Sequence, residues 1–557
     1  MKKILLGNEA IVEAALACGV DFVSGYPGCP AAEIGDIFGK IAKENGVYAE
    51  WSTNEKVGLE AAIGASFSGL KSLVNMKSFG INVASDSLMP LVYTGTKAPM
   101  VIVVADDPSC WSSAQSEQNS RAYAYLARIP MLEPADPQEC YDFTKLAFEI
   151  SEKFNIPVIL RTVTRANHQK MIVEYQPHSA KASRGVGVFV KNPQQFGTMP
   201  PRVLEQKQEL IEKLEKVKKF ADNKLNIITK SKKPNSVGII TSGVTHLHTL
   251  ETLEIMGLDL SILKMGMFYP LADAKIKSFI KNLKKVLIVE ELDGYLEKEV
   301  TAIAKDTNPK LEIFGKRGAP WALPEIRELD AEKIGVALAK ITGKKFTANK
   351  IKPVAVPRRY PKLCPGCPHA FTFAALKRVA PDAIYGGDIG CYMLAGYPPN
   401  DVQDFVFDMG ASMGISHGIS KATNPASAQG FGRARQKVIS LIGDATFFHS
   451  GISGLINAVY NKSNPLYIIL DNRITAMTGH QTNPGVGKTL MNEDTVLLKP
   501  EDIAVACGVK NVKVLDPINV KELEETIKDF MNKDEVSVIV CRRICALLEK
   551  RIKKAQE

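Results

Sequence analysis

Gly443-Asp444 and Asp471-Asn472 each close an apolar run that reads as a strand. Between Gly443-Asp444-Ala445 and Asp471-Asn472 lie 25 residues, 446–470, and they open as a helix. An acid and an amide therefore end two strands of one strand–helix–strand unit. In open α/β sheets, ligands bind beyond the carboxyl ends of the strands. A hard cation such as Mg²⁺ takes oxygen from carboxylate, amide, carbonyl and phosphate groups. Either residue alone could cap a helix. Their joint spacing favours a cation that bridges Asp444 and Asn472 to a phosphate-bearing ligand.

Cys364-Pro-Gly-Cys367 followed by Cys391 in Gly387-Asp-Ile-Gly-Cys forms a second constellation. A CxxC pair places two thiolates within reach of one metal centre, and by itself it is compatible with zinc, dithiol redox chemistry or an iron–sulfur cluster. The third cysteine favours a metal centre, and a [4Fe–4S] cluster is the expected occupant. A fourth ligand is then needed: Cys545 first, Cys541 second. Cysteines are also often simply buried. Asp408-Met-Gly-Ala-Ser412-Met413-Gly-Ile reads as a glycine-rich helix start, where backbone can approach a phosphate closely. Near the other end of the chain, Asn54-Glu55 opens a helix rich in small residues. A glutamate there suits the helix dipole. Glu60 is the competing acid of that helix.

These groups need sheets to hold them. At 557 residues the chain exceeds a single core, and several domains are expected. Hydrophobic residues make up 45% and charged residues 23%, as in ordinary globular proteins. No apolar run is long enough to span a bilayer. Asn8, Glu9 and Glu13 interrupt the basic, apolar start, so no signal peptide is expected and the cytoplasm is the default. The formal charge of +10 comes from lysines grouped at Lys207–Lys233, Lys275–Lys285 and Lys550–Lys554. Such groups suit solvated helix faces, and no nucleic-acid module signature accompanies them. Ten cysteines in a chain of this kind point to metal or redox sites rather than disulfides.

Strands alternating with helices predict parallel sheets. Residues 1–175 read as one such domain, with strands at Asp21–Gly25, Tyr48–Trp51, Ser72–Lys77, Met100–Ala105 and Val158–Thr162. Residues 176–235 read as a linker with a lysine-rich helical arm. Residues 236–345 read as a second α/β unit with strands at Val237–Thr241, Leu260–Lys264, Val286–Glu290 and Leu311–Gly315. Thr342–Pro357 reads as a connection, 358–547 as a third unit that holds the opening motif, and 548–557 as a basic tail.

The segment from Gly443-Asp444 to Asn472 resembles the motif of thiamine diphosphate (ThDP) enzymes, with Ala445 where many have glycine. The resemblance implies Mg²⁺ on Asp444, Asn472 and the main-chain carbonyl of Ile474. It also implies that Glu55 hydrogen-bonds N1′ of the aminopyrimidine and drives removal of the C2 proton. Gly390, Cys391, Ser412, Met413, Gly443 and Ala445 complete the expected cofactor-binding set. The fold class expected is multidomain α/β: two ThDP-type parallel-sheet domains plus a transketolase C-terminal-like domain.

A wider resemblance rests on Tyr26-Pro-Gly-Cys-Pro, Trp51-Ser-Thr-Asn-Glu55-Lys, Met76-Lys77, Gly80-Ile-Asn82, Ala105-Asp-Asp-Pro, Cys364-Pro-Gly-Cys-Pro-His, Gly387-Asp-Ile-Gly-Cys-Tyr and Thr475-Ala-Met-Thr-Gly-His-Gln. With these the chain resembles the large (alpha) subunit of the indolepyruvate:ferredoxin oxidoreductases, within the 2-oxoacid:ferredoxin oxidoreductase family. That implies oxidative decarboxylation of an aryl 2-oxoacid with coenzyme A. The products are an acyl-CoA, CO₂ and reduced ferredoxin, and the implied partners are a small (beta) subunit and ferredoxin in a hetero-oligomer, with no nucleic acid or membrane. Cys29 stands where the family usually has Thr, Ala31-Ala32 where Ser is common, and Ser78 where His is usual. The C-terminal ferredoxin domain usual in the family is not expected here. A non-oxidative ThDP decarboxylase and a non-catalytic ThDP-fold scaffold are the alternatives.

Overall fold

A computed structural model describes residues 1–178, 185–317, 320–347, 355–357, 359–423 and 437–556. They fall into two compact units, residues 1–353 and 354–557. Much of the connection expected over 342–357 lies outside the described residues, as do 179–184 of the expected linker.

The first unit carries two large sheets. The strand Met100–Asp106, MVIVVAD, is buried at every position. Such an unbroken apolar run marks a parallel strand covered on both faces. It lies in a seven-stranded sheet between Val158–Val163 and Ser72–Lys77. Phe22–Gly25 and Tyr48–Ala49 follow, also parallel. At the other edge Met131–Leu132 pairs with Val158–Val163. The last strand, Met267–Tyr269, runs antiparallel to Met131–Leu132 and comes from the region read as the second domain. The N-terminal strand Lys2–Leu6 pairs separately with Lys170–Glu174.

The second sheet of this unit has five strands, in the order Glu312–Phe314, Lys285–Val289, Val237–Ser242, Ser261–Met265 and Asn226–Thr229. The last of these corrects the linker reading. The lysine-rich arm is indeed a helix, Arg202–Leu225, but Asn226–Thr229 leaves it as a sheet strand antiparallel to Ser261–Met265. Four residues are too few to show a clear period-2 signal next to a strongly helical arm.

A buried charge network joins these two sheets. Arg121 grips Glu133 with two hydrogen bonds, Nε at 2.6 Å and Nη2 at 2.7 Å. It also donates to Ser242 at 2.8 Å and to the Glu291 carbonyl at 3.3 Å. Arg161 donates to Asp106 at 2.7 Å and to the same Glu133 at 3.0 Å. Burial opposes ionisation of Glu133, yet Arg121 and Arg161 together hold its carboxyl down at about 2. Removing one partner of such a pair strands the other charge in low dielectric. Arg121→Ala should therefore cost about 3–5 kcal/mol. Calorimetry of the variant should show earlier melting of this unit, and an unchanged transition would refute the assignment.

The second unit is built on a six-stranded, wholly parallel sheet: Phe405–Val406, Ile384–Gly387, Val438–Gly443, Leu466–Asp471, Ser537–Arg542 and Asn511–Leu515. Residues Val438–Gly443 and Leu466–Asp471 are all buried. Apolar layers cover both faces, Phe373, Leu376, Leu466 and Ile468 on one side and Met413, Phe447, Leu455 and Tyr467 on the other. The segment expected as a basic tail is helical. Ala546–Gln556 is a helix with no buried residue, whose first turn closes where Glu549 N–H donates to the Cys545 carbonyl at 2.9 Å. Its lysines and arginine occupy exposed helix positions, which composition alone reads as a tail. Among the described residues no helix is long and apolar enough to cross a membrane.

Candidate active site

Three neighbouring strands of the second unit end at acid or amide groups: Ile384–Gly387 at Asp388, Val438–Gly443 at Asp444 and Leu466–Asp471 at Asn472. The register pairs Gly443 with Leu470, which sets Asp444 beside Asp471. Asp444 starts the helical segment Asp444–Thr446. A widened π turn, Phe447–Gly451, continues into the helix Ile452–Tyr460. Such turns are frequent at functional sites.

Asp444 is 3% exposed. Its carboxylate accepts from the Asn483 amide at 3.4 Å. Burial, reinforced by Asp471, pushes it up to about 7. A buried carboxylate in this state fits a cation, whose charge would restore its ionised form. Asn472 is also buried; its Oδ1 accepts from Ile474 N–H at 3.2 Å. Arg473 between them has φ +63°, a sparsely populated conformation for a side-chain-bearing residue. The main chain is thus bent sharply at the point where an Ile474 carbonyl ligand is expected. Nothing in the sequence marks Asn483, which lies in an irregular loop beyond the motif.

The remaining expected cofactor residues divide. Gly390 and Gly443 are both packed against the Tyr392 ring. A Cβ on Gly443 would lie 2.7 Å from that ring, and one on Gly390 would also clash with it. Tyr392 in turn contacts Thr446 Oγ1 at 3.0 Å. Glycine is needed at both places by the close approach of that ring. Ser412 and Met413 face inward. Ser412 donates from N–H at 2.7 Å and from Oγ at 2.8 Å to Asp388. Met413 is fully buried in the apolar layer. Both side chains help build the turn and its core. Ala445 is buried beside Asp444.

Cys364, Cys367, Cys391 and Cys545 line one cavity of about 240 Å³, together with His369, Asn472 and His480. Their elements are unrelated in sequence: a turn before the helix His369–Val379, the start of the short helix Cys391–Gly396, and the residue before the C-terminal helix. Burial and the neighbouring thiols push Cys367 up to about 11 and Cys391 up to about 12. Cys545 Sγ lies 3.7 Å from His480 Nε2. Cys541, the second choice for a fourth ligand, is instead buried in the strand Ser537–Arg542. Among the described residues no three His, Cys, Asp or Glu side chains converge on a position for a single metal ion.

In the first unit, the carboxyl edge of the seven-stranded sheet gathers a separate group. Glu55 opens the helix Glu55–Phe67 behind its cap Asn54, whose side chain accepts from Val57 N–H at 2.9 Å. Glu55 is 4% exposed. A Cβ on Gly80 would sit 2.7 Å from Glu55 Cγ and 3.0 Å from its Oε1. Gly80 is therefore small because the carboxylate lies against it. Gly58 likewise approaches the Gly25 backbone, where an added Cβ would lie 3.4 Å from Gly25 Cα. Glu60, the competing acid, accepts from Ser87 in an exposed pair. Lys77 ends its strand, and its ammonium donates to Gln115 at 2.9 Å.

Residues 13–195 match the family described as "Pyruvate flavodoxin/ferredoxin oxidoreductase, thiamine diP-bdg". Residues 226–354 match "Indolepyruvate oxidoreductase domain", and 388–541 match "Thiamine pyrophosphate enzyme, C-terminal TPP binding domain". Sheets, motifs and matches together define a ThDP-dependent 2-oxoacid oxidoreductase. Indolepyruvate oxidoreductase subunit IorA of Methanothermobacter marburgensis is 42% identical over 553 residues, covering 98% of this chain and 87% of that one. The subunit IorA of Pyrococcus horikoshii is 42% identical over 563 residues, covering 98% and 86%. The chain belongs to this IorA family, within the 2-oxoacid:ferredoxin oxidoreductases. Among solved structures, a 2-oxoglutarate:ferredoxin oxidoreductase from Magnetococcus marinus covers 61% of this chain and 65% of its own, at 17% identity and a TM-score of 0.49.

Proposed function

We propose that the chain catalyses oxidative decarboxylation of an aryl 2-oxoacid of the indolepyruvate type with coenzyme A, passing electrons singly to ferredoxin. Membership of the IorA family over 98% of the chain supports the reaction class. The observation that carries the electron-transfer half is the single cavity lined by Cys364, Cys367, Cys391 and Cys545. A non-oxidative decarboxylase has no use for it.

When bound, ThDP supplies the nucleophilic carbon and the electron sink for loss of CO₂. Glu55 holds a proton at the aminopyrimidine N1′. Asp444, Asn472 and the Ile474 carbonyl would hold Mg²⁺, which would supply charge to neutralise phosphate, and Asn483 orients Asp444. Burial of Asp444 excludes water and strengthens its hold on the cation. The four cysteines would hold a [4Fe–4S] cluster through deprotonated thiolates, a state that metal charge favours over the raised thiol values, and the cluster would supply single-electron transfer. The small subunit completes a hetero-oligomer, and coenzyme A takes the acyl group.

The test is anaerobic co-expression with the small subunit, followed by iron and acid-labile sulfide assays. About four of each per chain is expected for one such cluster. Cys364→Ser should lower both contents and abolish 2-oxoacid-dependent dye reduction while thiamine content stays unchanged. Wild-type protein free of iron and sulfide yet active with 2-oxoacids would favour the non-oxidative reading.

A further inference from the structure

Lys77 stands at the end of the strand Ser72–Lys77, at the carboxyl edge of the seven-stranded sheet. Its stem packs over Gly28, where an added Cβ would meet the lysine Cγ at 2.9 Å. The ammonium donates to the neutral Gln115 amide and lies 5.1 Å from the Phe79 ring centre. Among the described residues it forms no ion pair. Burial pulls its pKa down, against the fields of Glu55, Cys29 and Asp107. A partly buried ammonium served by an amide and a ring is under-compensated. By contrast, the nearby buried cations Arg121 and Arg161 each contact carboxylates directly.

We infer that Lys77 binds the carboxylate of the 2-oxoacid substrate, so that Lys77 and Gln115 form the anion end of the substrate site beside Glu55. The inference rests on the proposed function and goes beyond it by assigning substrate recognition to this chain's own residues. The fields of Glu55 and Asp107 disfavour a second negative charge here, so a monoanionic carboxylate suits the position better than a diphosphate. Gly28 is part of this arrangement, since any side chain there would displace the lysine stem. Cys29, the next residue, is a thiol that burial pushes up.

The test uses the assembled complex with its small subunit, loaded with ThDP and Mg²⁺. Binding of phenylpyruvate and of its methyl ester is measured by calorimetry, alongside dye reduction and bound thiamine. Wild-type protein should prefer the acid to the ester. Lys77→Met should erase that preference and raise KM by about 10- to 100-fold, the loss expected for a hydrogen bond to a charged group. Thiamine content should stay unchanged, and Lys77→Arg should restore part of the preference. A preference retained in Lys77→Met would overturn the inference. So would loss of thiamine from that variant, which would assign the lysine to the cofactor. Wild-type protein that carries no thiamine, or reduces no dye with any 2-oxoacid, would overturn the proposed function itself, and with it this assignment.

Discussion

Glu55→Gln should lower turnover by about 10²- to 10⁴-fold, the range typical of removing a proton-transferring group. Exchange of the cofactor's C2 proton for deuterium, followed by NMR, should slow in parallel. The substitution keeps the volume of the side chain and the approach of Gly80 to it. Asn54 still caps the helix through Val57 N–H. Folding and thiamine content should therefore match the wild type. A variant with normal C2 exchange would remove Glu55 from the proposed role. Glu60→Gln is the internal control: its carboxylate sits in an exposed pair with Ser87, and its loss should leave the rate within about the ±0.5 kcal/mol usual for surface substitutions.

What could be read in the sequence follows from how local each signal is. Long apolar strands such as Met100–Asp106 and Val438–Gly443 announce themselves, because parallel strands buried on both faces need continuous apolar runs. Asp444 and Asn472 were legible because one strand–helix–strand unit fixes their spacing. The short strands Asn226–Thr229 and Met267–Tyr269 were not. Their pairing partners lie far along the chain, and only tertiary contact defines them. Cys545 was legible as a candidate, but nothing local separated it from Cys541. The difference is that Cys541 lies inside the buried strand Ser537–Arg542, while Cys545 lies beyond its end, where the chain turns toward Cys364 and Cys391. The surroundings of Ser412 and Met413 were not legible either. A glycine-rich helix start looks the same whether its side chains face a phosphate or an acid such as Asp388. Lys77 and Asn483 acquire meaning only from neighbours that sequence spacing does not bring together.

Asp444→Asn should have two opposite effects. Without its charge, Mg²⁺-dependent retention of ThDP should fall by more than the ~10–100-fold that loss of an outer-sphere partner costs a metal site. Thiamine co-purification and activity should be lost together. The cofactor-free protein should meanwhile become more stable. Burial and Asp471 raise the Asp444 carboxyl from 3.8 to about 7 in the folded chain. Its ionised form therefore opposes folding wherever the unfolded chain has already released that proton. The penalty is absent below about pH 4. It grows as pH rises toward the folded value near 7, and above that it levels off at no more than about 4 kcal/mol. Asparagine escapes the penalty, so the melting temperature of the apo variant should exceed that of apo wild type, with a gap that widens between pH 5 and pH 8. Saturating Mg²⁺ and ThDP should reverse the order, since they stabilise only the protein that binds them. A gap of the same size at both pH values would assign the effect to packing. A variant that still retained cofactor would dismiss Asp444 as the cation ligand. The site is thus expected to carry a carboxylate that weakens the empty fold and is relieved only when the cation arrives.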